Sequence, residues 1–389
     1  MKILQVVPFF SPVHGGSAIA PYHLSRELAR RGHDVTIFTS DYKLSQEWVK
    51  SLHQVKVYPF KTRFSWAKFY ITPNIIKNAK EEVRCFDIIH MHNYRSFQNF
   101  SVHYYANKYS VPYVLQAHGS LPRIMAKQRL KLIHDKFFGY RLLRHASKVI
   151  AVSATEVQQY KAVGVPEEKI EVIPNVIDLS EFADLPSIGS FRKKFSLDDN
   201  EKIVLYLGRI HQTKGLDILF KAFASLAEKI EHVRLAIVGP DDGYLSELKV
   251  SAKALNIEDD VLLVGPLYGK EKCEAYVDAD VYVLPSKYEI WGITALESVA
   301  CGTPVILTEN CGVADYLKNK VGLVVKHDTD DLREALLEML LNDHKRSVFK
   351  KNCKALVEDF DASKIVPKLE RIYEQMVDSS RLSVQNNGY

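Results

Sequence analysis

Short apolar runs alternate with amphipathic stretches along most of this chain. The runs at 2–7, 233–238 and 281–284 have the length and β-branched content of buried strands. The stretches between such runs place apolar residues at helical spacing, and the one at 18–31 ends before Gly32, a common stop signal. Strands that alternate with helices require a parallel sheet, which binds ligands at the carboxyl ends of its strands. The pattern therefore predicts an α/β fold.

The alternation forms two series, one beginning at residue 2 and the other with the run at 202–207. A chain of 389 residues exceeds the size at which a single core usually keeps growing. We therefore predict a first domain at 1–183 and a second at 184–362, with the polar, turn-rich stretch at 184–200 as linker. A last helix is predicted at 363–376, followed by a polar tail at 379–389 that frays.

The stretch at 280–304 carries the most informative chemistry. After its strand, Pro285 breaks the run, and Gly292 opens a helix that ends before Gly302. Glu289 lies in the loop before this helix and Glu297 lies one turn inside it. The N–H groups of such a terminus favour a phosphate, and Glu297 can accept two hydrogen bonds from a vicinal diol such as a ribose. Taken singly, each acid also fits a solvated surface charge.

Two cations flank the strand-to-helix turn that follows the run at 202–207. Arg209 and Lys214 can converge near a helix N-terminus, where a pyrophosphate would bind. The alternative is that both are exposed surface cations. The stretch at 265–270 imitates a phosphate-binding Walker loop, but it is one residue short and lacks the serine or threonine after its lysine. We therefore reject a nucleoside triphosphatase.

The first series contains three weaker signals. Gly15 and Gly16 lie between the first strand and helix, where glycines let the backbone approach a ligand, but they do not form the dinucleotide-binding pattern. His118 lies at a strand end, where a binding role and a hydrogen-bonded loop histidine are about equally supported by position. His90 and His92 share one strand face; without a third ligand, core packing or acceptor contact is favoured over a metal site.

Composition excludes several classes of protein. The net charge of +5 is too small to indicate nucleic-acid binding. The five cysteines are scattered without a C-x-x-C pair, which favours reduced thiols over disulfides or zinc. No apolar run approaches the ~20 residues of a membrane span. The first residues match a strand better than a signal peptide. We expect a cytoplasmic protein.

One segment indicates a partner. Residues 123–148 carry eight Lys or Arg against one acid, interleaved with aromatic and aliphatic positions, and residues 61–70 form a second basic-aromatic stretch. Such a segment can lie on an anionic membrane surface, here the inner face of the membrane, or hold a lipid-linked acceptor. The alternative is a helix with one face in the core and a solvated basic face.

The motifs together resemble the retaining glycosyltransferases of family 4. That family has Glu-x-Phe-Gly-x-x-x-x-Glu, which Glu289 to Glu297 match with Trp291 in place of Phe. Its diphosphate signature, Gly-Arg-x-x-x-x-Lys-Gly, is matched at every fixed position from Gly208 onward. Val176 stands where the family usually has glycine, and valine disfavours a positive-φ turn at that residue.

The resemblance implies the GT-B architecture, two Rossmann-like domains facing a cleft, with the last helix packed on the first domain. It implies transfer of a hexosyl unit from a UDP- or GDP-sugar to an acceptor hydroxyl, with retention and without a metal or other cofactor. Cell-surface polysaccharide or glycolipid assembly is the favoured context. The residues implicated in catalysis are Glu289, His118, Arg209 and Lys214. Those implicated in donor binding are Gly15, Gly16, Arg209, Lys214, Glu289, Ile290, Trp291, Gly292, Ile293 and Glu297.

Three alternatives stay open. A sugar-nucleotide epimerase of the same fold would interconvert the donor without any acceptor. A phosphorylase-like enzyme would need pyridoxal phosphate on a lysine. A non-catalytic nucleotide-sugar-binding partner subunit is disfavoured by the full set of charged residues.

Overall fold

The computed structural model describes residues 1–66, 69–123 and 127–386. Lys68, Ile124 and Met125, which belong to the two basic-aromatic stretches, lie outside the described residues.

The elements alternate along the chain as the apolar pattern predicts. The strands are β1 Lys2–Val6, β2 Asp34–Ser40, β3 Val55–Phe60, β4 Phe64–Trp66, β5 Phe69–Ile71, β6 Ile88–His92, β7 Tyr113–Gln116, β8 Lys148–Ala151, β9 Ile170–Val172, β10 Lys202–Leu207, β11 Val233–Val238, β12 Val261–Gly265, β13 Val281–Leu284, β14 Val305–Thr308 and β15 Gly322–Val325. The helices are α1 Gly16–Arg30, α2 Gln46–Ser51, α3 Asn74–Glu82, α4 Phe97–Lys108, α5 Gln128–His134, α6 Tyr140–His145, α7 Ala154–Ala162, α8 Ser190–Lys194, α9 Leu216–Ala227, α10 Leu245–Ala254, α11 Gly269–Asp278, α12 Ile293–Ala300, α13 Ala314–Leu317, α14 Thr329–Leu341, α15 Asp343–Val357 and α16 Ala362–Asn386.

The first compact unit contains Met1–Val176 and the chain from Ala362 onward. Its parallel sheet has the order β3-β2-β1-β6-β7-β8-β9, so the direction of winding reverses between β1 and β6. At this reversal Gln5 of β1 is paired with His90 of β6. Hydrophobic clusters cover both faces of the sheet, as expected for parallel strands. β4 and β5 form a separate antiparallel pair.

The last helix belongs to this first unit. Ile365, Leu369 and Tyr373 of α16 pack in the same hydrophobic cluster as residues of α1 and β1. The Glu370 carboxylate accepts hydrogen bonds from Arg31 and His33 at 2.8 and 2.7 Å. The predicted end of this helix at residue 376 was wrong: the helix continues through Asn386, because apolar residues recur at helical spacing to Val377 and no glycine or proline follows within it.

The second unit contains Ile177–Asp361. Its parallel sheet has the order β12-β11-β10-β13-β14-β15, so here the winding reverses between β10 and β13. Leu205 of β10 is paired with Ala236 of β11 on one side and with Tyr282 of β13 on the other. Open sheets of this kind bind ligands beyond the carboxyl ends of the two strands at the reversal. The α/β fold with two Rossmann-like domains is confirmed.

The predicted domain boundary at 183/184 lies seven residues too late. Ile177 donates its N–H to the Phe360 carbonyl at 3.0 Å, and Leu179 donates to the Asp361 side chain at 3.1 Å, which ties 177–183 to the second unit. The stretch expected to be an open linker contains α8. The Asp278 carboxylate anchors the first turn of this helix, because it accepts the N–H groups of Gly189 and Arg192.

Candidate functional site

Glycines let the strand ends of the second unit come close together. A Cβ at Gly239 would overlap the carbonyl of Gly208, and the Gly239 N–H donates to the Gly265 carbonyl at 2.8 Å. These three glycines follow β10 and β11 and end β12. A side chain at position 239 would therefore force these strand ends apart. The close approach of the strand ends requires glycine at this position.

The turn between β10 and α9 is fastened to the loop after β13. Gly215, with φ of 67°, directly precedes α9, and a Cβ at this position would overlap the Pro285 carbonyl. The Lys287 N–H donates to the Thr213 carbonyl at 3.0 Å. The loops of the two strands at the reversal therefore form one rigid unit, which carries both Arg209 and Lys214 on one side and Glu289 on the other.

Lys214 and Glu289 form a direct ion pair. The backbone of Glu289 is held in place by the loop after β14, since its N–H donates to the Asn310 carbonyl at 3.2 Å and its carbonyl accepts from Gly312 at 2.9 Å. The sequence placed both residues at the site but did not predict their contact. The contact joins a cation suited to phosphate with a carboxylate suited to sugar hydroxyls.

Arg209 pairs with Asp242, which follows β11. The Tyr206 hydroxyl lies 2.7 Å from the Arg209 carbonyl and so fixes the backbone of the turn. Sequence reasoning missed Asp242. The available signal was its position in the loop directly after β11, since the loop directly after β10 carries Arg209.

The N-terminus of α12 faces the same loops. Gly292 precedes the helix with φ of 95°, and a Cβ there would lie 2.6 Å from the Cys311 sulfur. The first N–H groups of a helix have no intrahelical acceptor, so those that begin α12 can bind an anion. Ile290, Trp291 and Ile293 direct their side chains into the core, where the Trp291 ring packs on Tyr316 and Phe360. The predicted donor contacts of these three residues are therefore limited to their backbone.

Glu297 differs most from its expected environment. It is 3% exposed, and the Lys272 ammonium donates to its Oε1 at 2.7 Å while the Tyr276 hydroxyl lies 3.2 Å from its Oε2. Burial lowers the pKa of Lys272, but the Glu297 charge and hydrogen bond outweigh burial and raise it. The sequence missed both partners, because no helix was predicted at 269–278. Each carboxylate oxygen still has a second lone pair for a diol.

Two buried tyrosines fix α12 on its sheet. The Tyr282 hydroxyl lies 2.6 Å from Thr294 Oγ1 and 3.1 Å from the Leu207 carbonyl. The Tyr276 hydroxyl lies 3.1 Å from the Thr294 carbonyl. Burial raises the pKa of both phenols well above the ordinary value, so both stay protonated. They set where the helix N-terminus points.

In the first unit, the predicted residues lie at strand ends. Gly15, with φ of 70°, precedes α1, and Gly16 is its first residue. His118 follows β7 with φ of 50°, in the left-handed region. Its Nε2 lies 2.9 Å from His92 Nδ1. The structure therefore connects His118, which the sequence singled out, with a histidine that the sequence assigned to core packing or acceptor contact.

Burial lowers the pKa of His90, His92 and His118 far enough to keep these three rings neutral. His90 and His92 are fully buried, and His90 Nδ1 lies 2.6 Å from the Tyr373 hydroxyl. Burial lowers the pKa of both His90 and His118 to about 3. Across the described ranges 1–66, 69–123 and 127–386, no three His, Cys, Asp or Glu side chains are grouped so as to hold a metal ion.

Comparison with known proteins identifies the family. The family description Glycosyl transferases group 1 matches residues 187–356, and Glycosyltransferase Family 4 matches residues 14–181. An uncharacterized glycosyltransferase of Methanocaldococcus jannaschii is 30% identical over 335 residues, which cover 82% of this chain and 84% of the relative. The chain belongs to the family 4, group 1 glycosyltransferases.

Other family members and solved structures agree. The alpha-monoglucosyldiacylglycerol synthase of Streptococcus pneumoniae is 29% identical, covering 88% of this chain and 78% of that protein. The crystal structure of Anabaena HepE in complex with UDP-glucose has a TM-score of 0.81 at 20% identity, covering 96% of this chain and 100% of that one. At that identity the likeness shows the GT-B fold alone. Among the described residues no helix is both long and apolar enough to cross a bilayer.

Proposed function

We propose that this glycosyltransferase moves a hexosyl unit from a nucleoside diphosphate sugar to an acceptor hydroxyl with retention of anomeric configuration. The observation that carries the proposal is the Lys214–Glu289 contact beside the N-terminus of α12. It lies beyond the strands where the winding reverses, and it joins a cation suited to phosphate to a carboxylate suited to sugar hydroxyls.

The chemistry requires positive potential where charge develops. Cleavage of the donor leaves charge on the β-phosphate, and preorganised cations and N–H groups stabilise it without reorganising during the reaction. Arg209, Lys214 and the first N–H groups of α12 supply that potential, and no metal or other cofactor is needed. The Lys214 ammonium has three N–H donors, so it can bind a phosphate oxygen and keep Glu289.

The remaining residues hold the donor. Glu289 binds the sugar hydroxyls, and Glu297 binds the ribose diol through lone pairs that Lys272 leaves free. By family resemblance, His118 contacts the sugar, and Gly15 and Gly16 lie against the phosphates. No covalent nucleophile is assigned; the acceptor attacks on the face that the phosphate leaves, and the phosphate takes its proton.

The donor and acceptor classes follow from relatives. HepE was crystallised with UDP and with UDP-glucose, which favours a UDP-sugar over a GDP-sugar here. The Streptococcus pneumoniae relative is named for a glucosylated diacylglycerol. We propose a role in cell-surface polysaccharide or glycolipid assembly, with the protein in the cytoplasm and in peripheral contact with the anionic inner face of the membrane.

Calorimetry without metal tests the donor site. UDP-, GDP- and ADP-glucose are titrated into the wild type, Lys214→Met and Glu297→Ala in buffer containing EDTA. We expect one donor to bind, and each substitution to weaken binding at least tenfold. Lys221→Ala is the matched control, because Lys221 is an exposed lysine on α9 and its loss should leave affinity within twofold.

Product analysis separates the alternatives. Transfer of the sugar to a diacylglycerol acceptor, with the α configuration of the donor kept in the product by NMR, supports the proposal. Interconversion of the donor without acceptor would identify an epimerase. Donor binding without transfer or interconversion would indicate a non-catalytic nucleotide-sugar-binding partner subunit. Binding of no donor would overturn the proposal.

A further inference from the structure

A pocket of about 560 Å³ lies on the first unit, between α4 and the helical segment 135–145. Its lining residues do not include His118 or the glycines that precede and begin α1. Phe100 and Tyr104 of α4 form one wall, and Phe137 and Phe138 form the other. The Phe100 and Phe138 rings are in edge contact, with centroids 4.4 Å apart.

The local fold forces these rings outward. Asp135 and Gly139 are the buried ends of a π-helical turn, and a Cβ at Gly139 would overlap the Tyr94 hydroxyl. With both ends anchored, Phe137 projects into solvent and is 64% exposed, while Tyr104 across the pocket is 59% exposed. Clustered exposed aromatic side chains of this kind mark an interaction site.

The surroundings of the pocket are basic. From residue 88 to residue 155 the only acid is Asp135, and Arg95 and Arg123 hold its carboxylate at 2.7 and 3.1 Å. Burial raises the pKa of Asp135, but the neighbouring His134 ring and the hydrogen bonds from Arg95 outweigh burial and lower it to about 2. The cations of this surface therefore have no free acidic counterpart on the same stretch, and Lys108 and Arg141 line the pocket itself.

The exposed aliphatic residues indicate hydrocarbon. On α5, beside the pocket, Ile133 is 52% exposed, and Leu130 is also exposed. Nearby, the Lys127 ammonium lies 3.6 Å from the centre of the Trp66 ring, which is itself half exposed. Stacked bases or an acidic glycan would use rings and cations but not branched aliphatic side chains, whereas a bilayer interface uses all three.

We propose that this pocket receives an acyl chain of an anionic phospholipid, with the lipid phosphate against Arg141 and Lys108. The proposal deepens the membrane contact proposed above by giving it a specific site, and it is independent of the donor site. The bilayer supplies the lipid, and the basic surface supplies the long-range attraction.

Vesicle flotation of the full chain tests the pocket. Vesicles of phosphatidylcholine alone are compared with vesicles that also contain phosphatidylglycerol, because the negative surface charge of anionic lipids attracts basic segments. We expect binding only to the anionic vesicles, at least tenfold weaker for Phe137→Ser/Tyr104→Ser and for Arg141→Glu. Leu341→Ser and Lys249→Glu, at exposed positions of the second unit, are the matched controls and should stay within twofold.

A soluble arm separates headgroup from chain. Short-chain phosphatidylglycerol should bind the wild type saturably, and short-chain phosphatidylcholine and glycerol 3-phosphate should bind at least tenfold more weakly. Equal binding of glycerol 3-phosphate would reduce the site to a phosphate site and overturn the proposal. Cooperative urea unfolding of each variant confirms that it is folded.

Each other outcome is also decisive. The Phe137→Ser/Tyr104→Ser variant could bind anionic vesicles as well as the wild type does. That result would support a membrane contact but would overturn the proposal that the pocket receives an acyl chain. No binding to anionic vesicles would overturn both, while the donor-site proposal would stand or fall on its own titration. A concentration-dependent dimer that the same variant abolishes would assign the pocket to a second copy of this chain.

Discussion

The His118 ring is hydrogen-bonded to His92, with His118 Nε2 and His92 Nδ1 2.9 Å apart and the two rings nearly parallel. His92 Nε2 lies 2.6 Å from Gln5 Oε1. With Gln5 assigned this orientation, its oxygen only accepts, so His92 carries its hydrogen on Nε2 and accepts from His118 at Nδ1. His118 is left with Nδ1 as an acceptor, the form suited to a sugar hydroxyl.

Replacing His92 should therefore weaken binding of the sugar and leave the nucleotide unaffected. In His92→Phe, His118 loses the partner that fixes its tautomer and ring orientation. We expect UDP-glucose to bind about tenfold more weakly, equivalent to about 1.4 kcal/mol, and UDP to bind unchanged. Calorimetry of both ligands measures the difference. The control is His53→Phe at an exposed position, and equal losses for UDP and UDP-glucose would contradict this role.

Glu156 should make stability depend on pH in the acidic range. Its carboxylate is fully buried and accepts the N–H groups of Gly119 and Val152 at 2.7 and 2.9 Å. Burial raises the pKa of Glu156 from 4.5 to about 7, although these hydrogen bonds lower it. Between pH 4.5 and pH 7 the folded state keeps a proton on Glu156 that the unfolded state has lost. The contribution of this proton to the free energy of unfolding is therefore present at low pH and is lost as the pH rises through 7.

Glu156→Gln removes that dependence. The two proteins are compared by the difference between their free energies of unfolding, wild type minus Glu156→Gln. This difference should fall by about 3 kcal/mol between pH 4.5 and 8, at about 1.4 kcal/mol per pH unit below 7. Urea unfolding across this range measures the difference, and the subtraction removes the contributions of the neighbouring histidines. A difference that stays constant with pH would show that Glu156 is ionised in the folded state throughout.

Gly292 should be essential for space as well as for its backbone conformation. Gly292→Ala places a Cβ 2.6 Å from the Cys311 sulfur at a φ of 95°, whereas Gly302, with φ of 80°, has no atom within 4 Å of an added Cβ. Gly302→Ala is thus the matched control for backbone strain, which costs about 1 kcal/mol. We expect Gly292→Ala to lose at least about 1 kcal/mol more in urea unfolding, and to lose nucleotide affinity. Equal losses in both variants would show that Cys311 moves aside without cost.

The sequence predicted local structure better than contacts between distant residues. The strands at 202–207, 233–238 and 281–284 match the structure in both bounds, because buried parallel strands are short apolar runs. Arg209, Lys214 and Glu289 were recognised one by one from their motifs. The Lys214–Glu289 pair joins residues 75 positions apart, and their meeting depends on β10 and β13 being neighbours, which no local pattern encodes.

The sequence did not predict the partners of Glu297 for a similar reason. Lys272 and Tyr276 lie on α11, a short helix whose residues 269–278 mix charged and apolar positions too evenly to be recognised. The same limitation applies to α8, which forms where a polar linker was expected because Asp278 binds the N–H groups of Gly189 and Arg192 at 2.6 and 3.0 Å. Both helices depend on long-range partners more than on their own apolar pattern.

The Lys272–Glu297 pair should show strong coupling. Lys272→Met leaves the Glu297 carboxylate, only 3% exposed, without its cation, and removing one partner of a buried pair costs about 3 kcal/mol or more. In Lys272→Met/Glu297→Gln the uncompensated charge is gone, so the double variant should be at least about 1 kcal/mol more stable than Lys272→Met alone. Urea unfolding of the two single variants and the double variant completes the cycle.

Lys270→Met, at an exposed position on the same helix, is the control and should change stability by less than about 0.5 kcal/mol. If the effects of the two single substitutions simply add, the carboxylate is hydrated in solution, and the ribose diol would then bind it without competing with Lys272.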